Sequence, residues 1–333
     1  MSSRKRILVI KLSSFGDIFH ALPAVHNLKV ALDAEVDWVT QPEYVELVKC
    51  FPDVSAVISF PRRQFWSQAP ALFRAVRGKH YDIIVDLQGL LKSAIVARFA
   101  RGKTRIGPSF HREGARLLYD AVAGRRDKNR HAVDENLDIV RYLGLPVLPV
   151  SFPVNIPTLE VNDPKPRIGL IPVSRRANKN WPLASFSETA RILQSQLGAS
   201  LYLFGSQADN KVCESIRQKL MATSPGLVVR NLAGQTSLIG MGQWFKQMDL
   251  VIANDSGPLH MAVALGSPVI ALFGPTDPRR TGPYGGEEGV FTSDVACRPC
   301  FDKVCGLKSL ECMDRIPVSQ VVEAVHKFLG KAS

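Results

Sequence analysis

Seven residues, Asn254-Asp255-Ser256-Gly257-Pro258-Leu259-His260, stand between two apolar runs, Leu250 to Ala253 and Val269 to Phe273. That order reads as a strand, a tight polar turn and the opening of a helix. Asp255 or Ser256 can act as N-cap, Gly257 lets the backbone come close to a ligand, and Pro258 suits a first turn where its missing N–H is not needed. Free N–H groups and the positive end of the helix dipole then make a site for a diphosphate. An ordinary capped helix in an α/β sheet has the same local sequence, so the turn alone leaves both readings open.

A second chemistry-bearing turn is Lys11-Leu12-Ser13-Ser14-Phe15-Gly16-Asp17-Ile18-Phe19-His20, at the end of the first apolar run. Gly16 is read as permitting a sharp turn, which puts Asp17 at or next to a helix start and at the rim of a sheet rather than in a core. A carboxylate there can take a proton from a substrate hydroxyl within hydrogen-bond reach, or it can simply cap the helix. The chain has neither the three-glycine dinucleotide fingerprint nor a Gly-x-x-x-x-Gly-Lys-Ser/Thr phosphate loop, so hydride transfer and nucleotide hydrolysis lose their main support.

The elements that must hold these turns alternate. Strands are expected at Arg6 to Lys11, Val36 to Val39, Ala56 to Phe60 and Asp82 to Leu87, with a helix from Ile18 to Ala31. In the second half they fall near Arg167 to Ile171, Ser200 to Phe204, Val228 to Asn231, Leu250 to Ala253 and Val269 to Phe273. Near-continuous apolar strands alternating with helical patterns predict parallel sheets covered on both faces. A proline-dense stretch, 151–166, separates residues 1–150 from 167–333 and is read as an interdomain linker. Two such domains place a ligand cleft at the carboxyl ends of their strands. The last helix, about Val318 to Leu329, packs back on one of them.

The 333 residues carry a formal net charge of +12, with local excess at Arg62-Arg63, at Arg98 to Arg105 and from Arg125 to His131. Such a surface favours anionic partners. A nucleic-acid-binding protein is the competing class. The few aromatic residues are not interleaved with the basic runs, and no recognition motif is present, so nucleic acid is not expected as a partner. Neither a signal peptide nor a membrane span is read from the chain, and a cytoplasmic protein is expected.

Five segments in order carry a resemblance: Lys11 to Ala24, Asp86-Leu87-Gln88-Gly89-Leu90-Leu91-Lys92-Ser93-Ala94, Lys179-Asn180-Trp181-Pro182, Asn254 to His260, and Phe273-Gly274-Pro275-Thr276-Asp277-Pro278. Together they resemble glycosyltransferase family 9, the ADP-heptose:lipopolysaccharide heptosyltransferases, and within it heptosyltransferase I. The resemblance implies an α/β fold of GT-B architecture, with two Rossmann-like doubly wound parallel-sheet domains facing across a cleft. It also implies an inverting, metal-independent transfer of heptose from ADP-heptose to the Kdo of a lipid A acceptor. The enzyme would act at the inner face of the cytoplasmic membrane of a Gram-negative bacterium.

By position, the resemblance makes Asp17 the general base and Lys179 the cation that meets the donor diphosphate. On the donor side it places Ser174, Asp209, Thr236, Asp255, Ser256, Gly257 and His260. Of these, Asp209 is expected on the ribose and Thr236 near the adenine. Asp255 is expected on heptose hydroxyls, or as a cap, because its charge would repel phosphate. On the acceptor side it places Ser13, Ser14 and Gly16, with Arg62, Arg63, Lys92, Arg130 and His131 offered to Kdo carboxylates and lipid phosphates.

Four of the six cysteines, Cys297, Cys300, Cys305 and Cys312, fall within sixteen residues. A structural zinc site fits the Cys-x2-Cys opening, while an iron–sulfur cluster, free thiols or regulated disulfides remain open. Cys50 and Cys213 read as buried small apolar residues.

Overall fold

The computed structural model describes residues 4–62, 65–223 and 226–330. The chain divides into two compact units between Asn155 and Ile156. In the first, six parallel strands, β1 (Arg6–Ile10), β2 (Glu35–Thr40), β3 (Ala56–Ser59), β4 (Tyr81–Asp86), β5 (Gly102–Pro108) and β6 (Ala121–Ala123), lie in the order 3-2-1-4-5-6. In the second, β7 (Arg167–Ile171), β8 (Ser200–Leu203), β9 (Val229–Asn231), β10 (Leu250–Asn254), β11 (Val269–Phe273) and β12 (Val290–Thr292) lie in the order 12-11-10-7-8-9, again all parallel. Each sheet is doubly wound, and the winding reverses between β1 and β4 and between β7 and β10. A ligand crevice opens at such a switch point, at the carboxyl ends of the strands.

The central strands owe their place to unbroken apolar sequence. Ile7, Leu8, Val9 and Ile10 in β1, and Leu250, Val251, Ile252 and Ala253 in β10, are all at 0% exposure, because helices cover both faces of each sheet. The unexpected strands are those without such a run. In β5 the sequence Gly-Lys-Thr-Arg-Ile-Gly-Pro is small and charged because neighbours occupy the space beside it: a Cβ on Gly107 would lie 2.1 Å from the Tyr119 ring. Strands β6 and β12 have three residues each and offer no period to read.

The segment expected as a linker is pinned at several points rather than free. The Asn155 N–H donates to Cys50 O at 2.7 Å, and Lys246 Nζ donates to Ile156 O at 2.9 Å. Arg230 pairs with Asp163 through two hydrogen bonds of 2.6 and 2.7 Å, and the Tyr202 hydroxyl donates to the same carboxylate at 2.8 Å. The Arg230 bonds hold the Asp163 carboxyl below its ordinary range against the opposing effect of burial. A depressed folded-state pKa contributes stability above the unfolded value, about 4, that is lost as pH falls through the folded one. Asp163→Asn is therefore expected to flatten the acid limb of a stability-versus-pH curve below about pH 4. An unchanged acid limb in denaturant titrations would refute it.

The final helix, Val318–Gly330, packs on Leu183–Leu197 within the second unit. Cys213 is buried as expected, whereas Cys50 is partly exposed. Among the described residues no helix is long and apolar enough to cross a membrane.

Candidate functional site

In the first unit, the turn after β1 opens the helix Phe15–Leu32, which starts three residues earlier than expected because Phe15 is buried and stacks on Tyr44. Gly16 is therefore a buried residue of the first helical turn and makes no sharp bend. Ser14 is the N-cap, and Asp17 is the third helical residue rather than the cap. The Ser14 N–H and hydroxyl both donate to Asp17 Oδ2 at 2.8 Å. One carboxylate oxygen is thus fixed by the helix start, while Oδ1 keeps its acceptor capacity for a substrate hydroxyl. Ser13 lies beside it, its N–H donating to Gln88 Oε1 at 2.9 Å, as does that of Leu12.

That bond joins two motifs far apart in the chain. Residue Gln88 follows β4, the partner of β1 at the switch point, and its turn is held by Asp86. The buried Asp86 carboxylate accepts from the N–H groups of Gln88 (2.7 Å) and Gly89 (3.1 Å) and from the Tyr119 hydroxyl (2.7 Å). Burial raises its pKa against those bonds. Gly89 has φ +69° and leaves room for Pro108 and His111, which a side chain would displace. Lys11, unassigned by the sequence reading, is 5% exposed and donates to Leu87 O at 2.7 Å. Burial lowers its pKa while the charges of Asp17, Asp86 and Glu135 oppose that shift.

The basic residues offered to an acceptor divide. Lys92 is partly exposed in the first turn of the helix Leu91–Phe99, and Arg62 is exposed. Arg63 lies outside the described residues. Arg130 is already engaged: its guanidinium forks onto Asp138, both bonds at 2.8 Å, and donates to Asp134 O, which raises its pKa. His131 is the N-cap of the helix Ala132–Asn136, its Nδ1 accepting from the Val133 N–H at 3.1 Å, with its ring edge-on to His20. Both residues thus hold their own loop together.

In the second unit, Ser174, Asp209, Thr236, Asp255 and Thr276 all follow the carboxyl ends of parallel strands, so one edge of the sheet carries them. Asp255 and Lys179 meet at the β7/β10 switch point. Lys179 Nζ donates to Asp255 Oδ2 at 2.5 Å, and the Thr276 hydroxyl donates to the same oxygen at 2.6 Å. His260 Nε2 stands 3.8 Å from Oδ1. Both members of the ion pair are largely withdrawn from solvent, at 16% and 7% side-chain exposure. Lys179 and Asp255, expected on different parts of the donor, are in direct contact with each other.

Next to this pair the helix Gly257–Ala264 begins, capped by Ser256 in extended conformation, with Gly257 as its first residue. Ser256 Oγ is buried and has no hydrogen-bond partner among the described residues. A buried hydroxyl at the positive end of a helix, with an ammonium nearby, suits a phosphate oxygen. Ser174 keeps its place but is occupied: its N–H and hydroxyl both donate to Asn180 Oδ1, at 2.8 and 2.7 Å. Asn254, in the first motif but given no role there, holds both loops together, accepting from the Trp181 N–H at 2.9 Å and donating to Pro172 O at 2.9 Å.

Asp209 closes a second capping box, accepting from the Ser206 N–H and hydroxyl at 2.7 and 2.6 Å, which leaves one oxygen for a ribose. The geometry repeats that of Ser14 and Asp17, so local structure alone does not distinguish a base from a ribose ligand. Thr236 precedes Ser237, the N-cap of the helix Leu238–Phe245, and is partly exposed at the same sheet edge.

Of the four clustered thiols, Cys297 and Cys300 are exposed, Cys305 is partly exposed and Cys312 is buried. Among the described residues no three His, Cys, Asp or Glu side chains are gathered in a way that could hold a metal ion. The thiols are still electrostatic neighbours. Burial raises Cys312, and Cys297, Cys300 and Cys305 add to the rise. The Cys305 sulfur is lowered by backbone N–H groups, first that of Leu310 and then those of Leu307, Ser309 and Lys308.

Two doubly wound parallel sheets carry a serine-capped helix start beside an ammonium at one switch point and a carboxylate at the other. Residues 70–311 match the family model of glycosyltransferase family 9 (heptosyltransferase). The chain is 30% identical to lipopolysaccharide heptosyltransferase 1 of Pseudomonas aeruginosa, over 92% of this chain and 89% of that one. It is 27% identical to lipooligosaccharide heptosyltransferase 2 of Campylobacter jejuni, over 94% and 95%. Its fold superposes on the Escherichia coli heptosyltransferase WaaC with ADP at a TM-score of 0.75 and 25% identity, covering 98% of this chain and all of that one. The chain belongs to glycosyltransferase family 9 and is a glycosyltransferase of the heptosyltransferase type.

Proposed function

We propose that this enzyme transfers heptose from ADP-heptose to the Kdo region of the lipopolysaccharide inner core, as a heptosyltransferase I, with inversion and without a metal ion. The observation that carries the reading is the donor edge of the second unit. There the Ser256 hydroxyl, unpartnered among the described residues, and the N-terminus of the helix Gly257–Ala264 lie next to the Asp255 that holds the Lys179 ammonium, a set suited to a diphosphate. The ADP leaving group needs charge stabilisation and no protonation, which a fixed ammonium supplies most strongly as the bond to the anomeric carbon breaks. For the attacking hydroxyl a single base suffices. Asp17, held through Oδ2 by Ser14, keeps Oδ1 as the acceptor for that proton.

The test is incubation of the protein with ADP-heptose and either Kdo2-lipid A or the same acceptor already carrying one heptose, in excess EDTA, following ADP release and product mass. Product on Kdo2-lipid A alone supports the reading. The similarity to a heptosyltransferase 2 sustains a second reading, which product on the heptosylated acceptor alone would favour.

Peripheral attachment to an anionic bilayer belongs to the same reading. Residues 88–119 carry seven cations, Lys92, Arg98, Arg101, Lys103, Arg105, Arg112 and Arg116, against one acid, Glu113. Leu117 projects from this segment at 88% exposure and Leu91 is 42% exposed. Leu117→Asp is expected to weaken binding to phosphatidylglycerol vesicles about tenfold, by losing apolar contact and adding a repelled charge. Equal sedimentation of the variant and the parent with such vesicles would count against this surface.

A further inference from the structure

Three bonds tie the cysteine-bearing segment 294–310 to the two loops that hold the donor-side ion pair, and none of them involves a thiol. Asn178, next to Lys179 in the chain and 6% exposed, donates through Nδ2 to Asp302 O at 2.8 Å. The Phe301 N–H donates to Pro275 O at 2.8 Å, and Arg298 Nε donates to Gly274 O at 2.6 Å. Gly274 and Pro275 directly precede Thr276, whose hydroxyl donates to Asp255. One segment therefore grips both the loop that carries Lys179 and the loop that supports its partner.

The grip has its own anchors. Arg298 makes a second bond, from Nη1 to Ser293 O at 2.9 Å, and its burial lowers its pKa. The Arg280 guanidinium lies 5.4 Å from the Phe301 ring centroid. Beneath the loop, a Cβ on Gly274 would meet Met313 Sδ at 2.3 Å and Cys312 Sγ at 3.1 Å, so its backbone is also held from the core side. A surface loop with no link to the site would satisfy its backbone locally or with water. Here the bonds of Phe301 and Asp302 go to the two donor loops instead.

We infer that Arg298 and Asn178 are positioning residues for sugar transfer, setting the placement of the Lys179 ammonium and the Asp255 carboxylate through the segment 294–310. The inference rests on the reading that Lys179 meets the donor diphosphate. The lysine head is a point charge on a flexible four-carbon stem, so its location depends on the loop beneath it and on the carboxylate that anchors it. Shifts on the order of 1 Å at such a group cost about a hundredfold in rate.

A double-mutant cycle in kcat tests this. Arg298→Gln is expected to lower kcat about tenfold in the parent protein but less than about twofold in the Lys179→Ala background, because a residue that acts through Lys179 has little left to position. Arg298→Lys, which keeps one donor for Gly274 O, should recover part of the loss, with ADP affinity nearly the same in the parent and the two Arg298 variants. An equal fold-loss in both backgrounds would overturn the inference and leave Arg298 a structural role only. A Lys179→Ala enzyme with undiminished kcat would instead remove the donor reading itself, so the two failures are distinguishable. If Arg298→Gln does not fold, Asn178→Ala in the same cycle carries the test, with the same two outcomes.

Discussion

Asp17→Asn is expected to reduce kcat for heptose transfer by about 10²- to 10⁴-fold while ADP-heptose still binds, the range lost when a positioned general base is removed. The substitution is close to isosteric, and its oxygen can still accept from Ser14, so most of the helix cap survives. Asp17→Ala removes both functions. It should add a stability loss of about 1 kcal/mol, typical of a lost helix cap, to the same loss of rate. Comparing the two variants separates chemistry from capping: a base predicts equal kcat losses, whereas a purely structural carboxylate predicts a near-normal Asn variant. Ser14→Ala supplies the complement. It removes one of the two bonds to Oδ2 and should cost far less rate than either Asp17 variant. Fast transfer by purified Asp17→Asn, with ADP release proportional to product, would end the assignment.

Asp17 could be singled out as a candidate base because a capping residue and a catalytic carboxylate would occupy the same place, the first turn of a helix at a sheet edge. That coincidence also limits the reading, since Asp209 satisfies the same local rule through Ser206. Apolar runs made the central strands legible. Strand β5 was not, because its residues were selected by the space beside Tyr81 and Tyr119 rather than by burial of apolar surface. Contacts between motifs escaped for a different reason. The bond from the Ser13 N–H to Gln88 and the pairing of Lys179 with Asp255 join positions 75 and 76 residues apart, and only strand order brings them together. At Arg130 the basic run shows charge but not the acid that answers it. Asp138, one helix later, takes both arms of its guanidinium.

Lys179→Ala should be the most damaging single change in the second unit, on two counts that can be separated. It leaves the Asp255 carboxylate, 7% exposed, with the Thr276 hydroxyl and a histidine nitrogen at 3.8 Å as its remaining neighbours. Breaking a buried ion pair from one side costs about 3–5 kcal/mol, mostly as the penalty of the charge left behind. It also removes the cation from the leaving diphosphate, for which a loss of about 10²- to 10³-fold in kcat is expected, as for removal of one donor to a developing anion. Adding Asp255→Asn to Lys179→Ala neutralises the stranded charge, so the double variant should regain most of the lost stability in urea titrations. Its kcat should stay low, because the ammonium is still missing where charge grows. If transfer returned together with stability, Lys179 would serve only to neutralise Asp255, and the developing charge on the diphosphate would have to be met by the helix start at Ser256 and Gly257 alone.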